Sequence, residues 1–490
     1  MANYRAVLKT LKAHGQEHLL AFYGELEAEQ RQALLAQIAG IDFDFVDECV
    51  EKYVKQRPTF ALPGDIAPPP IIPANPTGEQ ADECARARAR GLELLAAGKV
   101  AAFVVAGGQG TRLGFDGPKG CLEATPVVRK PLFQLFAEQV LAAGRRAGRP
   151  VPWYVMTSPT NDGQTRAFFR RNKNFGLAAE DVLFLVQDTF PAIGHDGKLL
   201  LADKGEVAVS PNGHGGSLLA LRASGALDDM KKRGVELISY FQVDNPLVRC
   251  IDPLFVGLHD LRGAEMSAKA LPKRDPMEKL GNFCLVDGKV TVIEYSDMPE
   301  DLARACLPDG RLKFSAGSIA IHVLGRSFVE RLTAGRRPGL PLHRADKPVP
   351  YVDPLGNAVK PAKPNAVKLE MFVFDALPLA RETVILETRR DEEFSPIKNS
   401  DGVDPATGKP AEDTPSTSLH DQVRRAAAWL EAAGVKVPRD ADGHVAAAIE
   451  ISPLYADSAE ELAAKADPRL AISPAQSVYL GSRGQTGGVK

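Results

Sequence analysis

Val100-Ala-Ala-Phe-Val-Val-Ala106 runs directly into Gly107-Gly-Gln-Gly-Thr-Arg-Leu-Gly114 and on to Pro118-Lys119-Gly120. The apolar run reads as a fully buried strand. The glycines after it let backbone N–H groups approach a ligand rich in oxygen, most simply a phosphate. The GxxxxGK[ST] spacing of a P-loop is absent, and Gly108, Gly110 and Gly114 form GxGxxxG, close to a dinucleotide fingerprint. Arg112 inside the turn and Lys119 just beyond it set the stretch apart. A helix N-terminus and backbone amides suffice for the two phosphates of a dinucleotide, whereas a reacting triphosphate calls for fixed positive charge. An ordinary strand-to-helix turn is the competing reading of the glycines by themselves.

With 490 residues the chain is too long for one ordinary core, which points to about two or three domains. Its formal net charge of -2 argues against nucleic acid or a membrane surface held by bulk charge, so any anion site is local. The six cysteines are dispersed without a CxxC pair, as expected for thiols rather than a disulfide framework or a zinc site. Among them Cys121 lies beside the glycine stretch, where a small buried hydrophobe is expected rather than a nucleophile. No signal-peptide pattern opens the chain and no apolar run is long enough for a membrane span, so a cytoplasmic protein is expected.

Apolar positions at helical spacing give residues 4 to 38 a helical reading, and prolines between Arg57 and Thr77 read as an extended strap. A helix near Glu79 to Ala97 leads into the opening strand. Strand candidates follow at Val151 to Met156, Val182 to Val186, Leu237 to Val243, Glu265 to Leu271 and Phe314 to Val323, with helical patterns at Pro131 to Gly144 and Gly216 to Ala223. The alternation predicts an α/β domain with a largely parallel sheet and a ligand site at the carboxyl ends of its strands. Beyond Asp391 a polar loop, a helix near His420 to Ala433 and an alternating stretch around His444 to Ile451 read as a smaller α+β domain or lid. The expected division is a helical N-terminal region with its strap (1–97), a catalytic domain (98–390) and a C-terminal domain (391–490).

Further loops supply candidate walls for a pocket. Ser210-Pro-Asn-Gly-His-Gly-Gly216 offers bare backbone to a flat ligand such as a base, or is a helix-start turn, and His214 within it either contacts substrate or caps that turn. Tyr240-Phe-Gln-Val-Asp244-Asn-Pro246 places a carboxylate at a strand tip, either for a divalent cation completed by substrate phosphates or simply to start a turn. Neither HExxH nor EF-hand spacing occurs. Gly281, Glu294, the stretch Ser315-Ala-Gly-Ser-Ile-Ala-Ile-His322 and Lys398 in Asp391-Glu-Glu-Phe-Ser-Pro-Ile-Lys398-Asn399 each read individually as structural.

In this order the segments resemble the eukaryotic-type UDP-sugar pyrophosphorylase family (UDPGP type 1), most closely its UDP-N-acetylglucosamine pyrophosphorylase branch, over residues 91–454. The resemblance rests on the glycine stretch with Pro118-Lys-Gly120, Gln187 after a strand, Asn212-Gly-His-Gly-Gly216, Val243-Asp-Asn245 and Val292-Ile-Glu-Tyr-Ser296. It continues through Ser315-Ala-Gly317, Lys368-Leu-Glu370, Phe372-Val-Phe-Asp375, Phe394-Ser-Pro-Ile-Lys-Asn399 and Glu450-Ile-Ser-Pro-Leu454. It implies a doubly wound, Rossmann-like nucleotidyltransferase (GT-A-like) core, and a reaction of UTP with a sugar 1-phosphate that yields a UDP-sugar and pyrophosphate. By the same resemblance Gly107, Gly108, Gln187 and Gly213 hold the uridine, Arg112 and Lys119 the phosphates, and Asp244 a magnesium ion. Gly281 and Glu294 grip the sugar, and Lys398 reaches the phosphates.

Two departures concern the sugar. His214 stands where the N-acetylglucosamine branch has Asn, and Ser318 stands where that branch has Asn after Ser-Ala-Gly; by the resemblance both are sugar-binding positions. N-acetylglucosamine 1-phosphate is the expected substrate, with glucose 1-phosphate or broad specificity as the alternative. An NAD(P)-dependent oxidoreductase is a distant rival resting on GxGxxxG alone, and a non-catalytic nucleotide-sugar binder would not require Arg112, Lys119, Asp244 and Lys398 together.

Overall fold

The strand read at Val100 is the hub of a ten-stranded sheet in a computed structural model that describes residues 3–56, 64–335, 337, 339–405 and 407–481. Strand β1 (Val100–Val105) is flanked on one side by β2 (Trp153–Thr157) and then β3 (Val182–Val186), and on the other by β4 (Leu237–Gln242), all parallel. The β1 residues from Val100 to Val104 are buried, and β2 is buried along its whole length, as a sheet covered on both faces requires. Val105 pairs with Gln242, so the glycine stretch and Asp244 leave the sheet from adjacent strand ends.

The rest of the sheet is mixed, which departs from the largely parallel expectation. Strand β5 (Met266–Pro272) is followed by β6 (Asn282–Val286), β7 (Lys289–Ile293), β8 (Ala316–Gly325) and β9 (Thr383–Glu387). β8 runs antiparallel to β4, β5 and β6, while β9 runs parallel to β5. The reason lies in the connections. The two-residue link from β6 to β7 can join only antiparallel neighbours, and the chain between β7 and β8 carries the four-residue helix Glu300–Ala303 rather than the long helix of a βαβ unit. β6 and β7 form a hairpin closed by Asp287 (φ 49°) and Gly288 (φ 76°), both left-handed as a tight two-residue turn demands.

Helix α1 (Glu79–Ala96) packs backbone to backbone on α3 (Pro253–Leu261), with α2 (Leu132–Ala147) between them in sequence. A Cβ on Gly91 would lie 1.8 Å from the Pro253 carbonyl oxygen, and one on Gly257 would lie 1.7 Å from that of Ala87. No larger residue fits that crossing. The described part of the strap extends the sheet edge: Ile66–Ala67 pairs with β6, and Ile72 exchanges backbone hydrogen bonds with Ile385 and Glu387. Its first portion, residues 57–63, lies outside the described residues.

Contacts divide the chain into two units, residues 1–63, 187–217 and 338–373, and residues 64–186, 218–337 and 374–490. Within the first, helices Tyr4–Ala13, Ala28–Ala39 and Phe43–Cys49 realise the helical reading of the N-terminal region. Buried Gln16 stitches them to the inserted segment, donating to the Gly197 carbonyl and accepting from the Leu199 N–H. Within the second, helix α4 (Pro415–Ala432) and the parallel pair Ala448–Ile451 and Ser477–Leu480 enclose an apolar cluster of their own, including Ala427, Leu430, Ile449 and Leu462. No helix of the described residues is long and apolar enough to cross a membrane.

Candidate active site

After β1 the chain does not enter an α-helix. It forms single turns of 3-10 helix at Thr111–Leu113 and Lys119–Cys121, and α2 begins only at Leu132. The glycine stretch folds back on itself, with the Gly110 N–H donating to the Gly117 carbonyl at 2.9 Å and the Lys119 N–H to that of Gly108 at 3.1 Å. Buried Asn161 ties it down by donating to the Ala106 carbonyl at 3.0 Å. A Cβ on Gly110 would strike Phe115 at 2.7 Å, whereas one on Gly108 would meet nothing within 4 Å, so Gly108 presents open backbone. No α-helix N-terminus stands directly behind the loop, and Arg112 and Lys119 are the cations it carries. That arrangement differs from a dinucleotide site, where the helix dipole does much of the work.

Asp244, half-buried just past the end of β4, accepts the Ile397 N–H on its carbonyl oxygen at 2.7 Å. The Ile397 carbonyl in turn accepts from Lys119 Nζ at 3.2 Å. Lys398, the next residue, is exposed, donates its backbone N–H to the Asp413 carbonyl at 2.7 Å, and carries its ammonium over the Phe394 ring. The segment bearing Lys398 is thus laid against both the metal candidate and the phosphate loop. Asp244, Gly281, Glu294, Ser318 and Lys398 line one cavity of about 120 Å³. Arg112 and Lys398 also line an adjoining cavity of about 590 Å³.

Strand register gathers the sugar candidates. The Ser318 N–H donates to the Gly281 carbonyl at 2.8 Å, and Asn282 pairs with both Ile293 and Gly317. A Cβ on Gly281 would lie 2.6 Å from Val292 Cγ1 and 3.3 Å from Glu294 Oε1, so the glycine keeps room beside that carboxylate. Lys273 Nζ braces the hairpin by donating to Asn282 Oδ1 at 2.7 Å. Burial pulls its amine below the usual lysine value, with Glu278 and Asp275 acting against that shift.

Gln187, Gly213 and His214 belong to the other unit. Gln187 is buried. Gly213 has φ +81°, and a Cβ there would sit 2.4 Å from the Met371 carbonyl oxygen, so only glycine suits the position. His214 Nδ1 accepts the Val373 N–H at 3.1 Å and its ring stacks on Phe372 at 5.2 Å. Burial, helped by His343, pulls its pKa down to about 4, which agrees with a neutral ring accepting at Nδ1.

The family model described as UTP–glucose-1-phosphate uridylyltransferase matches residues 79–403. The chain belongs to this family. Human UDP-N-acetylhexosamine pyrophosphorylase-like protein 1 is 39% identical over 479 residues, covering 94% of each chain. UDP-N-acetylglucosamine diphosphorylase 2 of Arabidopsis thaliana is 33% identical over 94% of this chain and 91% of its own. Among solved structures, the uridine diphosphate N-acetylglucosamine pyrophosphorylase of Trypanosoma brucei superposes with a TM-score of 0.79 at 26% identity, over 99% of each chain.

This UDP-sugar pyrophosphorylase is therefore a nucleotidyltransferase acting on UTP and a sugar 1-phosphate, and the oxidoreductase reading falls. Cys121 is half-buried, and burial pushes its thiol up to about 12, with Arg171 as the opposing influence. Two residues beside the candidate site carry no clear sequence signal. Asp413 shares a cavity with Lys398 and Arg112. Burial pushes its carboxyl up, Lys398 pulls it down and Asp244 pushes it up again. Its only mark in the sequence is the Asp413-Thr-Pro415 start of α4. Asn245 stands inside the quoted Val-Asp-Asn motif, but its two side-chain bonds to the Lys398 segment lie about 150 residues away along the chain, as the 148-residue separation to Glu393 shows.

Proposed function

We propose that this enzyme joins UTP to N-acetylglucosamine 1-phosphate with magnesium, and that Arg112, Lys119 and Lys398 contact the phosphates while Gly281, Glu294 and Ser318 contact the sugar. The observation that carries this reading is the single cavity shared by Asp244, Lys398, Gly281, Glu294 and Ser318. Gly107, Gly108, Gln187 and Gly213 are assigned to the uridine on the family resemblance alone. His214 in this reading supports the Asn212–Gly216 loop by accepting from Val373.

The donor set suits magnesium. Among the described residues no group of three or more His, Cys, Asp or Glu is arranged as a protein-only cage, and Asp244 offers one carboxylate beside the cavity. Mg²⁺ is commonly held by one or two carboxylates with substrate phosphates and water completing its shell. Asp244 would hold it, and when bound the ion supplies positive charge to the triphosphate oxygens.

A sugar phosphate is already anionic at neutral pH, so no general base is needed. One of its phosphate oxygens forms a bond to the α-phosphorus of UTP; the bond from that phosphorus to the bridging oxygen breaks, and the electron pair leaves with pyrophosphate. Arg112, Lys119 and Lys398 work by alignment and by neutralising charge that develops on the nonbridging and leaving oxygens. Glucose 1-phosphate is the second reading, favoured by Ser318 in place of a side-chain amide beside the sugar. A cytoplasmic location, consistent with the cysteines being thiols, completes the proposal.

The test is pyrophosphate release from UTP and Mg²⁺ with N-acetylglucosamine, glucose and galactose 1-phosphates in turn. The highest kcat/KM is expected with the N-acetylglucosamine compound. A higher value with glucose 1-phosphate would establish the second reading, and release with none by folded protein would defeat both.

A further inference from the structure

Lys398 sits on a segment with no regular secondary structure, yet the residues before it are held by several hydrogen bonds. Glu393, Ser395 and Ile397 are all buried. Asn245, itself 5% exposed, donates from Nδ2 to the Glu393 carbonyl at 2.7 Å and accepts the Ser395 N–H on Oδ1 at 3.0 Å. Its neighbour Asp244 accepts the Ile397 N–H. Two adjacent residues at the tip of β4 therefore hold three points of the Lys398 segment.

Behind this clasp lies a buried ion cluster. Lys269, 1% exposed, donates to Glu393 Oε1 at 2.5 Å and Oε2 at 2.6 Å, and to Asp252 Oδ2 at 2.7 Å. Thr388 Oγ1 donates to Glu393 Oε2 at 2.5 Å. The amine and the two carboxylates are each less than a tenth exposed, at the wall of a cavity of about 240 Å³, and a buried charge that loses its partner is strongly penalised, so the cluster resists displacement. Glu393 is thus fixed at its carboxylate by the sheet and at its carbonyl by Asn245. On the far side Ser395 Oγ donates to Asp421 and its carbonyl accepts from Ser418 Oγ, both on α4.

We propose that Asn245 is a positioning residue that sets where Lys398 lies relative to Asp244 and Lys119, with the Lys269–Glu393 cluster as its anchor. The inference rests on the reading of Lys398 as a phosphate contact. Asn245 touches no substrate in this account; it acts through the five residues from Glu393 to Ile397. Removing its side chain leaves the ammonium of Lys398 in place chemically but free to wander, so catalysis suffers only to the extent that Lys398 was contributing.

The test combines amide hydrogen exchange with a double-mutant cycle on the full chain. In Asn245→Ala, exchange at Ser395, Ile397 and Lys398 is expected to accelerate by about tenfold or more while β1 is unchanged. Turnover is expected to fall about tenfold in the wild-type background and by less than twofold in the Lys398→Ala background, a non-additivity that a merely structural residue would not show. Thr388→Val, which removes one hydroxyl behind Glu393, is the milder variant should Asn245→Ala fold poorly. It is expected to show the same pattern, about threefold in turnover, again vanishing without Lys398. Unchanged exchange overturns the clasp whatever the activity, and multiplicative losses overturn its link to Lys398. Wild-type turnover in Lys398→Ala would instead overturn the reading of Lys398 itself.

Discussion

Arg112, Lys119 and Lys398 reach their places from loops, whereas Gly281, Glu294 and Ser318 sit on or beside three neighbouring strands. The loop cations are held by backbone bonds, and Arg112 and Lys398 remain exposed. The strand residues are held by register, the Ser318 N–H on the Gly281 carbonyl being one rung of it. Charge on a loop can meet any phosphate that the glycine amides receive. A pocket built from register has a fixed width, so it discriminates between ring substituents. In the function proposed above, the phosphate side would carry the reaction class and the sugar side the choice of substrate.

The sharpest way to break that division is to remove a cation. Lys119→Ala and Lys398→Ala are each expected to lower kcat by roughly a hundredfold, about 3 kcal/mol of barrier, with an unchanged thermal melt. Near-normal turnover in either would remove that residue from the reaction. Gly281→Ala comes next. Its Cβ must displace Val292 and crowd Glu294, so KM for the sugar phosphate should rise about tenfold while KM for UTP holds; equal changes in both would place Gly281 outside the sugar site.

Ser318→Asn tests the sugar side more gently. It is expected to raise kcat/KM for N-acetylglucosamine 1-phosphate relative to glucose 1-phosphate by about threefold to tenfold, on the scale of one added hydrogen bond. An unchanged ratio would assign discrimination elsewhere. The smallest effect expected is on stability against pH. His214, and His259 on α3, are both pulled down to about 4, burial being the first cause, from an ordinary 6.5. The unfolded chain takes up these protons first as pH falls, so their contribution is full above 6.5 and is lost toward 4. Denaturant melts between these limits should show stability falling with acid, less steeply in His214→Gln. An equal slope in that variant would mean His214 is already charged in the folded state.

The same contrast governs what could be read from the sequence. The glycine stretch, Lys119, Asp244 and the Lys398 segment are contiguous signals, and the strand and helix at Val100 and Gly216–Ala223 stand where periodicity put them. The antiparallel half of the sheet was not read, although Asp287-Gly288 between two apolar runs is a hairpin signal. The first unit draws on three separated stretches, joined by contacts such as Gln16 with Gly197 that no local pattern encodes. Asn245 and Asp413 were not legible for related reasons: the side chain of Asn245 bonds backbone about 150 residues on, and Asp413 bonds the Lys398 segment through its own carbonyl, which residue identity does not encode.

Steady-state kinetics of three proteins, the wild type, Lys398→Ala and Ser318→Asn, on both N-acetylglucosamine and glucose 1-phosphates test the division of labour most directly. Lys398→Ala is expected to lower kcat for the two sugars by the same factor, and Ser318→Asn to change their kcat/KM ratio while leaving kcat within about twofold. A Lys398 effect that differs between the sugars, or a Ser318 effect that falls on kcat alone, would contradict the separation of reaction from specificity.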